Sequence, residues 1–209
     1  MKLEEIWKRI EKRLECNNCP LKEKSIPLLF KPASPVKVMV VTEGPNRIED
    51  KEFIASLGNH PTFTYLTALA GGKFIPEGQD ANVYWTHLRK CFIKKKRDPL
   101  CSEDEVETAL EICVKAYLFK EIEAVNPELI IAVCRAKDFF NLKGVKLQEI
   151  LARETKGPIT VEIDGVSRKV MIVPHPSCLN RFWTDPPPQI VEALQKVREE
   201  FSRLVSKPL

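Results

Sequence analysis

No apolar run in this chain is long enough to cross a bilayer, and the N-terminus reads as a charged helix, Lys2 to Leu14, rather than a secretory leader. Neither a membrane anchor nor export is therefore expected. Glycine is scarce, 8 of 209 residues. No glycine-rich turn follows the first strand-like run, and Gly44-Pro45 is too short to cradle a pyrophosphate, which argues against a nucleotide-binding α/β protein. Internal repeats and low-complexity tracts are missing. So is any large excess of one charge. The 33 Lys and Arg stand against 29 Asp and Glu, a formal net charge of +4, and no global basic field announces a polyanion. Glutamine is sparse beside abundant Lys and Glu, a balance compatible with a thermophile.

Cysteine, by contrast, is plentiful, at 7 residues, an odd number. Without a leader, the reduced thiols of a cytoplasmic protein fit better than a disulfide scaffold. Cys16 and Cys19 have the gap that lets a tight turn aim two thiolates at one ion, and with Cys91 and Cys113 they make four thiols able to converge on one centre. Zinc and an iron–sulfur cluster both accept that set. Basic residues also gather locally, as Arg89-Lys90 and Lys94-Lys95-Lys96-Arg97. Such a run marks an anion-facing loop or simply a solvated surface.

The length suits a single domain over 1–209, with residues 1–22 forming an N-terminal helix and a metal-binding turn. Leu3, Ile6, Trp7, Ile10 and Leu14 lie at helical spacing and give the first helix a docking stripe. Strands are expected at Val36 to Val41, Val83 to Leu88, Leu129 to Val133 and Val170 to Val173. The first is a continuous apolar, mostly β-branched run, as befits a parallel strand covered on both faces. The turn Asp164-Gly165 marks a hairpin that pairs Val161 to Ile163 antiparallel with Arg168 to Ile172. Helices are expected at Phe63 to Ala70, Glu103 to Val125, Ala136 to Phe140, Leu147 to Glu154 and Pro188 to Val205. This alternation predicts a three-layer α/β/α domain around a mainly parallel four-stranded sheet, with ligands at the strand C-termini.

Three strand ends carry polar motifs: Thr42-Glu43-Gly44-Pro45-Asn46, Thr86-His87, and His175-Pro176-Ser177. Placed on one rim, Glu43, His87 and His175 would surround a pocket. With Cys16-Asn17-Asn18-Cys19-Pro20-Leu21, Tyr84-Trp85-Thr86-His87, Lys90-Cys91, Arg97-Asp98-Pro99 and Cys113 followed by Tyr117-Leu118, these motifs resemble the uracil-DNA glycosylase superfamily. The likeness is greatest to the iron–sulfur family 4 enzymes of thermophiles, and it covers roughly residues 14 to 182.

The resemblance implies a DNA-repair glycosylase that hydrolyses the N-glycosidic bond of a flipped, deaminated base. It implies a [4Fe–4S] cluster on Cys16, Cys19, Cys91 and Cys113, with zinc the alternative and Cys101 competing with Cys113. Cys134 and Cys178 read as plain buried or loop thiols. His175 would donate to the departing base, and Glu43 would orient water or cap its strand. Phe63, with Phe53 and Tyr65 as rivals, would stack on the base. Gly44, Pro45 and Asn46 would line the sugar side. Leu179 would fill the vacated stack or be an ordinary exposed leucine. Ser177, Arg181, Lys90, Lys94, Lys95, Lys96 and Arg97 would meet DNA phosphate.

His87 departs from the family, which carries Asn there. An amide pairs with uracil N3–H and O4 together, whereas an imidazole cannot form that fork. Uracil or another deaminated base such as hypoxanthine is thus open, as is a non-catalytic DNA-binding protein on the same fold. A redox protein using the cluster is a further alternative. A cytoplasmic, nucleoid-associated monomer is expected.

Overall fold

The computed structural model describes residues 1–27, 29, 31, 36–45, 83–93, 101–154, 156–174 and 188–205. Its elements are α1 (Leu3–Glu11), β1 (Ser25–Pro27), β2 (Val38–Thr42), β3 (Val83–His87), β4 (Cys91–Ile93), α2 (Glu103–Cys113), α3 (Phe119–Val125), β5 (Leu129–Val133), α4 (Leu147–Glu154), β6 (Ile159–Ile163), β7 (Val166–Val173) and α5 (Pro188–Val205). A π turn, Val114–Leu118, joins α2 to α3, and a 3-10 segment, Cys134–Phe139, follows β5. The expected helix at 63–70 lies outside the described residues.

The main sheet has the order β3-β2-β5-β7-β6. Pairings among the first four are parallel, while β6 joins β7 antiparallel as a fifth, edge strand. The four parallel strands are those expected, and the hairpin strand extends their sheet. Asp164 and Gly165 both have positive φ, 48° and 76°, which suits the two-residue turn that sets Ile163 opposite Val166.

Strand alternation sends the core two ways. Val38, Val40, Leu129, Ile131, Met171 and Val173 pack with Leu194, Val197 and Phe201 of α5. Met39, Val41, Ile130, Ala132, Val170 and Ile172 pack with Leu110, Val114, Leu118 and Ile122, and with Trp7 of α1. The result is the three-layer α/β/α arrangement predicted from alternation of strands and helices. Ser102 and Glu105 form a capping box at the start of α2, the Ser102 Oγ accepting from the Glu105 N–H at 3.1 Å. Left-handed Asn126, φ 50°, ends α3 just before Pro127.

Two features escape pattern reading. β1 and β4 form a small antiparallel ladder that sets Pro27 opposite Cys91. At the other edge, β6 pairs with β7 only as far as Val170, and the Ile172 N–H beyond it donates to Glu154 Oε1 of α4 at 2.5 Å. Glu154 is fully buried. Among the described residues, no helix is long and apolar enough to cross a membrane.

Candidate active site

The parallel register aligns the strand ends. Thr42 and His87 are direct partners across β2 and β3, and Val133 and Val173 across β5 and β7. Pairing continues past the strands, with the Leu88 N–H donating to the Thr42 carbonyl at 2.8 Å and the Arg89 N–H to the Glu43 carbonyl at 3.0 Å. Chain order runs from β2 outward to β3 and then back across to β5, so the crevice at the end of β2 is a topological switch point. Glu43 is exposed there and pairs with Arg135, two residues past β5, at 3.4 Å. Arg135 also pairs with Glu107 of α2. Sequence reading does not single out Arg135, although its place at a strand end on the same rim is the available signal.

His87 is buried. Its Nδ1 lies 2.5 Å from Thr42 Oγ1, which also accepts from Trp85 Nε1 at 3.3 Å. The imidazole packs tilted against the Trp85 indole, with ring centroids 5.4 Å apart. Gly44 and Pro45 continue from Glu43, Pro45 being buried. His175 comes directly after Pro174 at the end of β7. It lies outside the described residues, as do Asn46, Phe53, Phe63, Tyr65, Lys94, Lys95, Lys96, Arg97, Ser177, Cys178, Leu179 and Arg181.

Lys90 corrects the sequence reading. It is 1% exposed, and its ammonium donates to Thr86 Oγ1 at 2.7 Å, to the His87 carbonyl at 2.6 Å and to Glu121 Oε2. Tyr84 donates to Glu121 Oε1 at 2.7 Å, and Trp7 Nε1 donates to the Tyr84 hydroxyl at 3.0 Å. A cation so enclosed cannot meet a phosphate. It braces the backbone of His87 from behind. Its place beside Arg89 in a basic stretch suggests surface, whereas its partner Glu121 lies 31 residues downstream.

The thiols gather beneath this region. Arg13, in left-handed backbone, donates to the Lys22 and Ser25 carbonyls and so folds the segment carrying Cys16 and Cys19 back toward β1. The β1–β4 ladder brings Cys91 alongside. Cys16 and Cys113 share an apolar cluster with Ile6, Ile10 and Tyr117, and Cys19 packs against it. The Cys16 thiol donates to Cys19, which lowers Cys19 to about 6 against the effect of burial. That bond and burial push Cys16 up. Burial raises Cys91, and it pushes Cys113 up to about 11 although the Lys90 backbone N–H points at its sulfur. Cys101 is half-buried.

In the motif this chain resembles, two residues separate Cys from Tyr; here Val114, Lys115 and Ala116 intervene, and the extra residue falls in the π turn. Tyr117 thereby reaches Cys16, hydroxyl to Sγ 3.9 Å, and accepts from the Glu15 N–H at 3.2 Å. Among the described residues, no three His, Cys, Asp or Glu side chains stand close enough to hold a single metal ion.

A parallel α/β sheet with polar strand ends above a cysteine group defines a class of protein, and comparison with known proteins identifies the family. The family model described as "Uracil DNA glycosylase superfamily" matches residues 30–198, and the chain belongs to that superfamily, a class of DNA glycosylases. It is similar to a type-4 uracil-DNA glycosylase of Archaeoglobus fulgidus, 29% identical over 68% of this chain and 66% of that protein. It is also similar to a type-4 uracil-DNA glycosylase of Saccharolobus solfataricus, 27% identical over 84% of this chain and 75% of the relative. The chain thus spans about two thirds to three quarters of the length of these relatives.

Proposed function

We propose that this protein is a DNA-repair glycosylase that hydrolyses the N-glycosidic bond between deoxyribose and a deaminated base, uracil foremost, once the nucleotide has left the stack. The observation that carries this reading is the alignment of Glu43 and the Thr42–His87 pair on one strand-end rim, in a chain that the superfamily model matches over residues 30–198. As the bond breaks, negative charge grows on the base and positive charge on the sugar. His175 donates to the base oxygen, and Glu43 lies on the sugar side where it orients water. Phe63 stacks on the base, and Gly44, Pro45 and Asn46 shape the sugar side. Ser177, Leu179, Arg181 and Lys94 to Arg97 meet the DNA. Lys90 is reassigned from phosphate contact to bracing His87.

Thr42 engages Nδ1 of His87, and an imidazole held in this way cannot form the amide's fork with a base. That favours a site tolerant of several deaminated bases, hypoxanthine included.

Cys16, Cys19, Cys91 and Cys113 hold the metal centre. Three soft thiols in one apolar cluster, with a backbone N–H aimed at the Cys113 sulfur and Cys91 carried alongside by the β1–β4 ladder, suit an iron–sulfur cluster. A single zinc would need every sulfur about 2.3 Å from one point and remains the alternative, while the likeness to the iron–sulfur family 4 enzymes favours the [4Fe–4S] group. When bound, it serves as a cross-link between the N-terminal segment, β4 and α2. Inclusion of Cys113 in the cluster of Cys16 and Cys19 favours it over Cys101. We place the protein, as a monomer of one domain, at the nucleoid in the cytoplasm.

His175→Ala is expected to lower base release from uracil-containing oligonucleotides by about 10²- to 10³-fold while DNA affinity stays near its wild-type value, measured by single-turnover kinetics and fluorescence anisotropy. Wild-type protein that retains its centre and releases neither uracil nor hypoxanthine would leave a DNA-binding role alone. His87→Asn is expected to raise uracil excision relative to hypoxanthine by about tenfold, the equivalent of one added hydrogen bond. An unchanged base panel would mean that the imidazole does not read the base.

A further inference from the structure

We propose that Arg89 is a positioning residue that couples the thiol centre to the Glu43–Gly44 turn; its consequence for catalysis rests on the glycosylase reading above. The backbone of Arg89 closes the strand-end pairing with Glu43. Its side chain then turns back, and Nη1 donates to the Cys91 carbonyl. The guanidinium lies so close over Gly44 that a Cβ there would fall 2.6 Å from Nη2 and 3.0 Å from Cζ. Gly44 is not among the residues with positive φ, so its missing side chain serves this close approach rather than a left-handed turn. Arg89 Nε is buried and without a partner among the described residues. The same cation is within electrostatic reach of Cys19, Cys91, Cys101, Cys113 and Glu43.

One planar fork thus touches the backbone at a thiol ligand and the backbone of the candidate active-site turn. A guanidinium is rigid enough to transmit a displacement between its ends, unlike an ammonium on a flexible stem. Movement of the Cys91 carbonyl displaces the fork, and the fork sets how near the 43–44 turn approaches β3. The reverse also holds, because a coupling free energy is reciprocal.

The test is a double-mutant cycle read by amide hydrogen exchange on the full chain as isolated with its metal. Gly44→Ala pushes the fork aside without removing its charge and is expected to speed exchange of the β4 amides, at the thiol end, by about threefold or more. In an Arg89→Met background, Gly44→Ala is expected to add nothing there. Arg89→Lys keeps the charge, loses the fork and gives the same abolition should the Met variant not accumulate. An equal effect of Gly44→Ala in all backgrounds, or none in wild type, overturns the coupling. In base-release assays Arg89→Met is expected to lower kcat with KM little changed. Wild-type protein that releases no base would count against the glycosylase reading alone, since the exchange cycle stands without it.

Discussion

Lys90→Met is expected to lower the melting temperature by on the order of 10 °C, as removing one partner of a buried ion pair costs about 3–5 kcal/mol and a domain of this size shifts by about 2–4 °C per kcal/mol. The cost arises from what remains. Glu121 is fully buried and would keep the donors of Tyr84 and Thr86 but lose the cation that balances its charge. The His87 carbonyl would lose its donor as well. Glu121→Gln alone strands the ammonium and is expected to be comparably harmful. The double change Lys90→Met with Glu121→Leu leaves no unpaired charge and is expected to recover part of the loss, the rest being the cost of the Tyr84 and Thr86 hydroxyls losing their acceptor and the His87 carbonyl losing its donor. The same variant separates the two views of Lys90. A phosphate contact would cut the salt dependence of DNA binding by about one ion, a slope change near 0.9, and leave the melting temperature alone. The opposite pattern is expected.

This network also explains how the N-terminal helix matters to the strand end. Trp7 of α1 donates to Tyr84, Tyr84 to Glu121, and Lys90 links Glu121 to His87. A change in the docking of α1 therefore reaches the backbone of His87 through three side chains.

Which of these features are legible in the sequence depends on the range of the signal. β2 and β5 announce themselves because a strand buried on both faces must be a nearly continuous apolar run, and both are buried at every position. The helices α4 and α5 keep the expected limits, Leu147–Glu154 and Pro188–Val205, and Asp164-Gly165 marks its hairpin. The β1–β4 ladder leaves no such trace. Each of its strands has only three residues, one of them Pro27, and alternation cannot be read over so short a stretch. Glu43 and His87 are legible as strand-end residues, but the partners Thr42 and Arg135 are set by register and by a return of the chain from the far side of the sheet. Lys90 is misread because local charge density says nothing about a carboxylate on α3, 31 residues downstream. The displaced spacing of Cys113 and Tyr117 looks like a defect in a motif until the π turn accommodates it.

Glu154→Gln is expected to flatten the fall of stability with rising pH and to stabilise the protein in mild alkali. Burial raises the Glu154 carboxyl from 4.5 to about 8, opposed only in part by the Ile172 N–H. A carboxyl that holds its proton more tightly when folded contributes stability that is complete below its unfolded value, near 4.5. That contribution declines as pH rises and is lost above about 8. At about 1.4 kcal/mol per pH unit the decline amounts to on the order of 5 kcal/mol. Gln keeps an oxygen for the Ile172 N–H and never ionises. It also places an amide where Oε2 has no partner among the described residues, a cost of about 1–3 kcal/mol at every pH. The variant is therefore expected to match or trail wild type near pH 5 and to exceed it by about 3 kcal/mol at pH 9. Melting temperatures of the two proteins, compared at each pH from 4.5 to 9, cancel the titrations they share. A constant difference across that range would mean that the buried carboxyl does not titrate there. An ionised Glu154 lowers the stability of the folded protein through its burial and not through the Ile172 N–H, which favours the charged form. Base release by the wild-type protein is accordingly expected to lose its thermal tolerance above pH 8 sooner than that of the Gln variant.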